Sequence, residues 1–191
     1  MARRTRFSFA ILAGSLFLLA AAAPALPEKA APAAPKPDSP AAAILARIAG
    51  LAGDWAGTAE WSGARTGSYA LKARYYATGY GSAVVEDLIS PEGVPSMSSV
   101  YHLDGADLRM THYCGTRNQP RLKASKIDVA GGAVDFAFVD ATNLASQDAP
   151  HVTGLELRFG DEDHFTMTFL FEGGGKASRE RISLQRARPK A

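Results

Sequence analysis

What most constrains this chain is a rhythm. From Trp55 onward, segments of about six to ten residues with alternating or aromatic-rich side chains recur with turn residues between them. They fall near 55–61, 69–76, 81–90, 97–103, 108–114, 121–129, 133–139, 151–159, 164–171 and 179–186. Short strands at this spacing are the pattern of an antiparallel sandwich or barrel. No long internal helix is available for a crossover connection, which excludes a parallel sheet. The connections decide further, because in a meander they alternate between the two ends of a barrel. ATGY (77–80), DGAD (104–107), AGG (130–132) and GDED (160–163) fall at one end. SGARTGS, PEGVPS, GTRNQP, DATNLASQDAP and EGGGK fall at the other, and most are longer or less regular. An open mouth opposite a closed base produces such a division. The fold expected is all-β, an up-and-down antiparallel barrel of about 8–10 strands. AAAILARIAGLAG (41–53), with Ile44, Ile48 and Leu51 at helical spacing and a glycine behind them, supplies a short helix that closes the base.

The first forty residues are of another kind. MARRTRFSFAILAGSLFLLAAAAPA has arginines, then an apolar run, then small residues, the order of a secretory signal peptide cleaved near Ala25. An uncleaved anchor is the alternative, the run being near the lower limit for spanning a bilayer. Residues 26–40 form an Ala/Pro-rich linker, and 41–191 form one barrel domain. The mature protein is expected to be secreted, to the periplasm, with no stable membrane insertion after cleavage. Removing Arg3, Arg4 and Arg6 takes the formal charge from +2 to −1. With no basic stripe and interleaved aromatics, no nucleic-acid partner is expected. Cys114 is the only cysteine, so it has no internal disulfide partner and supplies no lipoprotein anchor near the N-terminus.

GDWAGTAEW, with Gly53 before Trp55 on the first strand, resembles the opening of the lipocalin and calycin barrels. That resemblance implies a tryptophan at the closed base against a basic residue of the last strand, here Arg186, as a cation–π pair. YHLDGADLRMTHYCGTRNQPRLKA, FVDATNLASQDAPH and DEDHF extend the likeness. Together they resemble a family of bacterial proteins described as hypothetical or as lipocalin-like domains of unknown function, with a Thr-His-Tyr-Cys and Asn-Gln-Pro-Arg core. The resemblance covers about 135 residues from Gly53 and brings no assigned activity.

Strand alternation assigns side chains to faces. Pairing across the Asp-Gly turn at 104–105 puts Met97, Ser99, Tyr101 and Leu103 on one face with Leu108, Met110, His112 and Cys114, and this more apolar face is the interior. Carried through the 115–120 loop, the pairing places Arg121, Lys123, Ser125, Ile127 and Val129 inside as well, opposite Val134, Phe136 and Phe138. The result is a graded cavity. Ile127, Phe136, Leu157, Phe159 and Met167 line its base, and His112, Cys114, Arg121, Lys123 and His151 gather at its mouth. Cations so placed need hydration, a partner or an anionic ligand. Glu86 or Asp87 is the internal partner expected; Arg121 and Lys123 would meet a carboxylate or phosphate while the aromatic floor takes an apolar tail. Snorkelling of both side chains to solvent is the alternative.

His112 and Cys114, two apart on a strand, share a face, but a nucleophile pair also needs hydrogen-bonding distance and an oxyanion hole. Haem is a second possibility, since the nitric-oxide-binding haem barrels resemble this chain at Gly53, Trp55 and Gly57. Their ligand histidine lies near the C-terminus, and SRERISLQRAR has none, which leaves His112 or His151 to substitute. His164 falls at the base and His102 faces outward; the four histidines show no zinc spacing, so no metal site is indicated. Asn118 sits on the mouth loop with Arg117 and Gln119, and DATNLASQDAP could serve as a lid with Asn143 and Asp140 facing a ligand, or as ordinary turn residues. The function expected is the binding of a small amphiphilic or anionic molecule by His112, Cys114, Arg121, Lys123, His151, Tyr101, Asn143 and Asn118, with no resident cofactor. A haem barrel, a Cys114-dependent hydrolase and an envelope scaffold with a filled barrel are the alternatives.

Overall fold

The computed structural model describes residues 39–187. The signal peptide assigned to 1–25, and all but the end of the linker assigned to 26–40, lie outside the described residues. The chain opens with α1 (Pro40–Ala49), capped by the Ser39 hydroxyl, which accepts the Ala42 N–H at 3.1 Å, with proline in the first turn. Ala41, Ile44, Leu45 and Ile48 make its buried face. It stops before the expected residue 53 because Gly50 closes it and Gly53, at φ 122°, turns the backbone into the first strand.

Ten strands follow: β1 (Gly53–Gly63), β2 (Gly67–Thr78), β3 (Ala83–Ile89), β4 (Pro95–Asp104), β5 (Asp107–Tyr113), β6 (Gln119–Asp128), β7 (Ala133–Thr142), β8 (His151–Phe159), β9 (His164–Gly173) and β10 (Lys176–Arg186). Each pairs antiparallel with its sequence neighbour, and β10 returns to β1, closing an up-and-down barrel. Closure leaves no sheet edge to template association. The close approach of the closing pair requires a glycine: a Cβ on Gly57 would stand 1.9 Å from the Ser183 carbonyl oxygen.

The lower half of the barrel is solid. Trp55, 1% exposed, meets Phe165 edge-on at 4.8 Å and donates its indole N–H to Leu51 O at 2.7 Å. Tyr75 packs on the same Phe165 at 5.7 Å, and Leu157, Met167 and Ile182 are buried beside them. An aromatic side chain of this kind removes about 200 Å² from water, worth about 5 kcal/mol before conformational costs. Arg47 of α1 donates to Val129 O at 3.2 Å and lies over the Phe159 ring at 5.1 Å, so the helix plugs the base. The residues expected to line the foot of a cavity, Phe136, Leu157 and Met167 among them, are instead its packed core.

β6 overturns one expectation of face. Cys114 N donates to Asn118 O (3.1 Å), Arg117 N to Cys114 O (2.9 Å), and Arg117 takes φ 65°, so the chain reverses tightly over Gly115–Arg117. Met110 therefore opposes Leu122, while Thr111 opposes Arg121 and Arg109 opposes Lys123. The longer loop expected would have aligned Cys114 with Arg121; shortening it slides the partner by an odd number of residues and exchanges the faces. Leu122 is buried, and Arg121, Lys123 and Ser125 point outward. An irregularity between Ala124 and Lys126 returns Ile127 to the inner side, and Val129 is exposed at the strand's end.

Candidate functional site

Above the solid base, the mouth end of the barrel holds a half-closed cavity of about 290 Å³. Alternation delivers its walls from strand ends: Trp61 from β1, Tyr69 from β2, Met97 from β4, Phe169 and Phe171 from β9, and Glu180 from β10. His112, near the end of β5, and Cys114 beyond it complete the lining. The rim is set by Arg65, on the turn between β1 and β2, whose guanidinium lies 5.0 Å from the Trp61 ring and 4.5 Å from the Phe171 ring. Glu180 is buried and accepts a short hydrogen bond from the Tyr69 hydroxyl. Burial raises its pKa, while the Tyr69 bond and the charge of Arg65 oppose that shift.

His112 is 2% exposed and stacks at 4.9 Å on Phe169. Its Nδ1 is 3.0 Å from Ser99 Oγ; Nε2 has no hydrogen-bond partner among the described residues. Burial pushes its pKa down to about 4, so the ring is neutral at ordinary pH.

Behind His112 lies a continuous polar row. Tyr75 opposes Glu86, Glu86 opposes Ser99, and Ser99 opposes His112 in successive strand pairs from β2 to β5. Strands of a barrel tilt about 35–45° from its axis, so a row running across them climbs. Here it rises from Tyr75 near the base to His112 under the cavity. Glu86, fully buried, accepts the Tyr75 hydroxyl (2.9 Å) and the Tyr101 hydroxyl (2.7 Å) on Oε2, and Ser99 stands directly opposite it on β4. Oε1 has no hydrogen-bond partner among the described residues. Burial raises the pKa of Glu86 to about 7 against the lowering effect of these hydroxyls.

Several residues expected at the mouth are elsewhere. Arg121 pairs with Asp140 on the outer wall (Nη2 to Oδ2, 2.7 Å) and Lys123 with Asp107 (3.4 Å), so neither faces the cavity, for the register reason given above. His151 is buried but opposes Glu172, beyond an irregularity between Val152 and Gly154 that turns it out of the barrel. Its Nδ1 meets Ala149 O at 2.7 Å, its ring lies 5.0 Å from Phe138, and it borders a separate polar groove with Asp148 and Glu172. Asn143 is an exposed turn residue at φ 55° that donates to Gln119 Oε1. Asn118 is buried and donates to Pro150 O at 2.9 Å, tying the 143–150 loop to the mouth turn. Tyr101 is inside, below the cavity, on Glu86. Glu86 partners tyrosines rather than Arg121 or Lys123, and Asp87 accepts from Ser98 Oγ at 2.5 Å. His112 and Cys114 do share the cavity, with His112 Nδ1 turned to Ser99 rather than to the thiol. Gly53, Trp55 and Arg186 gather at the base, where Arg186 lies 4.4 Å from the Trp55 ring. Among the described residues, no group of three or more His, Cys, Asp or Glu is placed to hold a metal ion.

Trp61, Arg65, Tyr69 and Glu180 went unread as cavity residues, although Ser178, Glu180, Ile182 and Leu184 alternate on the inner face of β10 and marked Glu180 as an acid among core residues. A larger groove, about 500 Å³, lies on the outer wall near the base. Two of its polar side chains are already matched, Arg158 with Asp135 and His164 with Asp161. The mouth cavity, with the imidazole of buried His112 on its wall, is therefore the stronger candidate.

No family model and no curated protein matches the chain. Solved structures do. The crystal structure of Rv2717c from M. tuberculosis is similar over 76% of this chain and 98% of its own, with a TM-score of 0.53 and 18% identity. A protein of unknown function from the DUF3598 family of Nostoc punctiforme PCC 73102 is similar over 73% of this chain, with a TM-score of 0.51 and 14% identity. The alignment spans 48% of that larger protein, about half of its length. At these identities the likeness is one of fold: this chain is a closed ten-stranded barrel similar in architecture to proteins that include one of unknown function.

Proposed function

We propose that this protein is an exported, small-molecule-binding barrel of the calycin or lipocalin-like kind that takes a compact amphiphile into its mouth cavity. The apolar body of the ligand lies among Trp61, Met97, Phe169 and Phe171, and one polar group meets His112. The observation that carries this reading is the open Nε2 of a buried, neutral imidazole in a cavity whose wall also carries Trp61, Tyr69, Phe169 and Phe171. A ligand group that pairs with this nitrogen adds a hydrogen bond worth about 0.5–1.5 kcal/mol net. With Arg121 and Lys123 on the outer wall, Arg65 at the rim is the cation that an anionic group would meet among the described residues lining the cavity. The volume, about 290 Å³, is at the small end of ligand pockets, which run about 300–1,000 Å³; that favours a compact molecule over a haem macrocycle, for which His112 would be the inward-facing ligand. Export rests on the arginine-led apolar run at the N-terminus.

The test is to extract protein purified from its native host and identify bound molecules by mass spectrometry, then to titrate recombinant protein with indole and p-cresol while following tryptophan fluorescence. Binding that Met97→Trp abolishes without loss of thermal stability supports the reading. An empty extract together with no binding of either probe sinks it and favours the scaffold alternative. Fractionation of the host, with N-terminal sequencing of the mature chain, checks export.

A further inference from the structure

We infer that Glu86, acting through Ser99, fixes which hydrogen-bonding face His112 turns to the cavity, so that with Glu86 ionised the site selects ligands whose polar group donates: phenols, indoles and other N–H or O–H compounds. This rests on the mouth-cavity reading for its ligand and on the polar row for its device.

A serine hydroxyl has one proton to give and lone pairs to accept with, an ionised carboxylate only accepts, and a neutral imidazole carries one proton on one of its two nitrogens. Ser99 stands between Glu86 and His112, opposite each of them across adjacent strands. With Glu86 ionised, the Ser99 proton goes to the carboxylate, so Ser99 accepts from His112 Nδ1–H and the cavity faces a bare Nε2. With Glu86 protonated, the Tyr75 and Tyr101 hydroxyls still occupy Oε2 and the acid proton sits on Oε1, the oxygen without a partner among the described residues. That proton goes to Ser99, Ser99 donates to Nδ1, and Nε2–H points at the ligand as a donor. His112 does not take up a second proton over the same range, because burial holds its pKa at about 4 while that of Glu86 lies at about 7.

The groups around this pair leave the assignment to Glu86. Tyr75 from β2 and Tyr101 from β4 both have pKa values raised well above the usual tyrosine range by burial, so neither ionises. Asp87, next on β3, is taken by Ser98. Across the cavity from His112 stand Tyr69 of β2, Arg65 of the rim and Glu180 of β10; Glu180 is a second acid with a raised pKa and has to be controlled for.

The experiment is nitrogen NMR of protein labelled at histidine nitrogen, free of ligand, from pH 5.5 to 8.5. The expected result is a bare Nε2 at high pH giving way to a protonated Nε2 with a midpoint near the pKa of Glu86. In Glu86→Gln the amide donates to Ser99 at every pH, so His112 stays in the Nε2–H form. Ser99→Ala removes the coupling by a smaller change and serves if the first variant does not fold, and Glu180→Gln leaves the transition where it was. A His112 tautomer that is constant in the wild type overturns the relay, as does a transition that follows Glu180 instead of Glu86. The ligand clause is read separately with p-cresol and its methyl ether, 4-methylanisole: at pH 8.5 p-cresol is expected to bind about tenfold more tightly, and the preference collapses in Glu86→Gln. Equal affinities at pH 8.5 overturn the donor selection. If neither probe binds, the mouth-cavity reading and the donor selection fall together while the NMR result still decides the relay.

Discussion

Arg186, at the end of the last strand, holds its guanidinium 4.4 Å from the ring centroid of Trp55 on the first. The same group donates to Ala52 O at 2.9 Å and to Gly50 and Glu162 O at 3.2 Å. One side chain thus ties the end of α1, the start of β1 and the β8–β9 turn at the point where the barrel closes. Cation–π contacts are worth about 0.5–2 kcal/mol and each hydrogen bond about 1 kcal/mol net, so Arg186→Ala is expected to cost about 3.5–5 kcal/mol in urea denaturation. Arg186→Lys keeps a cation over the ring but loses the fork, and should recover less than half of that loss. Equal stability of the alanine variant and the wild type would show that the closure stands without this clasp.

Glu86 and His112 pull the pH dependence of stability in opposite directions. Glu86 is raised from 4.5 to about 7 in the folded protein, so its contribution to stability is fully present below 4.5 and is lost as pH rises towards 7. His112 is lowered from 6.5 to about 4, so its contribution is present above 6.5 and is lost as pH falls towards 4. Each has a slope of about 1.4 kcal/mol per pH unit, and in the window the two share, about pH 4.5–6.5, they cancel. Relative to wild type, Glu86→Gln should therefore gain stability as pH rises through that window, and His112→Gln should lose it. Urea midpoints at three pH values read this directly, and variants that run parallel to the wild type would contradict both shifts.

The fold was legible in the sequence because its signals are local. Strand alternation, turn residues and loop lengths each report on a few neighbouring residues, and all ten segments, the meander and the base helix follow from them. The inward set from Met97 to Cys114 was equally legible, since a two-residue turn fixes that hairpin's register. Legibility failed at the next turn: Gly115-Thr116-Arg117 reverses the chain with Arg117 at positive φ, a conformation that arginine seldom signals, and the error passed to Arg121 and Lys123. His151 was lost in the same way to an irregularity in β8. The Tyr75, Glu86, Ser99, His112 row was out of reach for a different reason, because it joins four strands and depends on every intervening register at once.

The corrected register of β6 makes its own forecast. Leu122 is 1% exposed, while Arg121 and Lys123 lie on the outer wall. Leu122→Ala should cost about 2–5 kcal/mol, the range for deleting a buried leucine, whereas Arg121→Ala and Lys123→Ala should leave both the urea midpoint and the affinity for p-cresol at their wild-type values. Loss of probe binding in either charge variant would return these cations to the cavity and the β6 register with them.

Gly57 tests the closing seam. A Cβ there would meet the Ser183 carbonyl oxygen at 1.9 Å, and that oxygen belongs to strand backbone that cannot swing aside as a side chain would. Gly57→Ala has to part β1 from β10 or distort both, and is expected to cost more than about 3 kcal/mol, at the high end of single substitutions. Denaturation of the purified variant, or its failure to accumulate as folded protein beside a Gly115→Ala control, where the added Cβ makes only ordinary contact with the Met97 side chain at 3.7 Å, reads the effect.

Cys114 reports on occupancy of the cavity. Its thiol is half-buried on the cavity wall beside Met97 and His112, and it is the only cysteine in the chain, so a thiol reagent has one target. No hydrogen bond joins its thiol to the neighbouring imidazole, whose Nδ1 is turned to Ser99. Modification is therefore expected at the modest rate of an ordinary, partly shielded thiol rather than at the accelerated rate of a thiolate held by a base. A ligand seated between Phe169 and Trp61 covers the same wall, so saturating p-cresol should slow the reaction about tenfold in the wild type and not at all in Met97→Trp, where the cavity is already filled. Conversely, a rate far above that of a free thiol would place Cys114 among reactive groups and favour the hydrolase alternative, while a rate indifferent to p-cresol would put the probe somewhere other than this cavity.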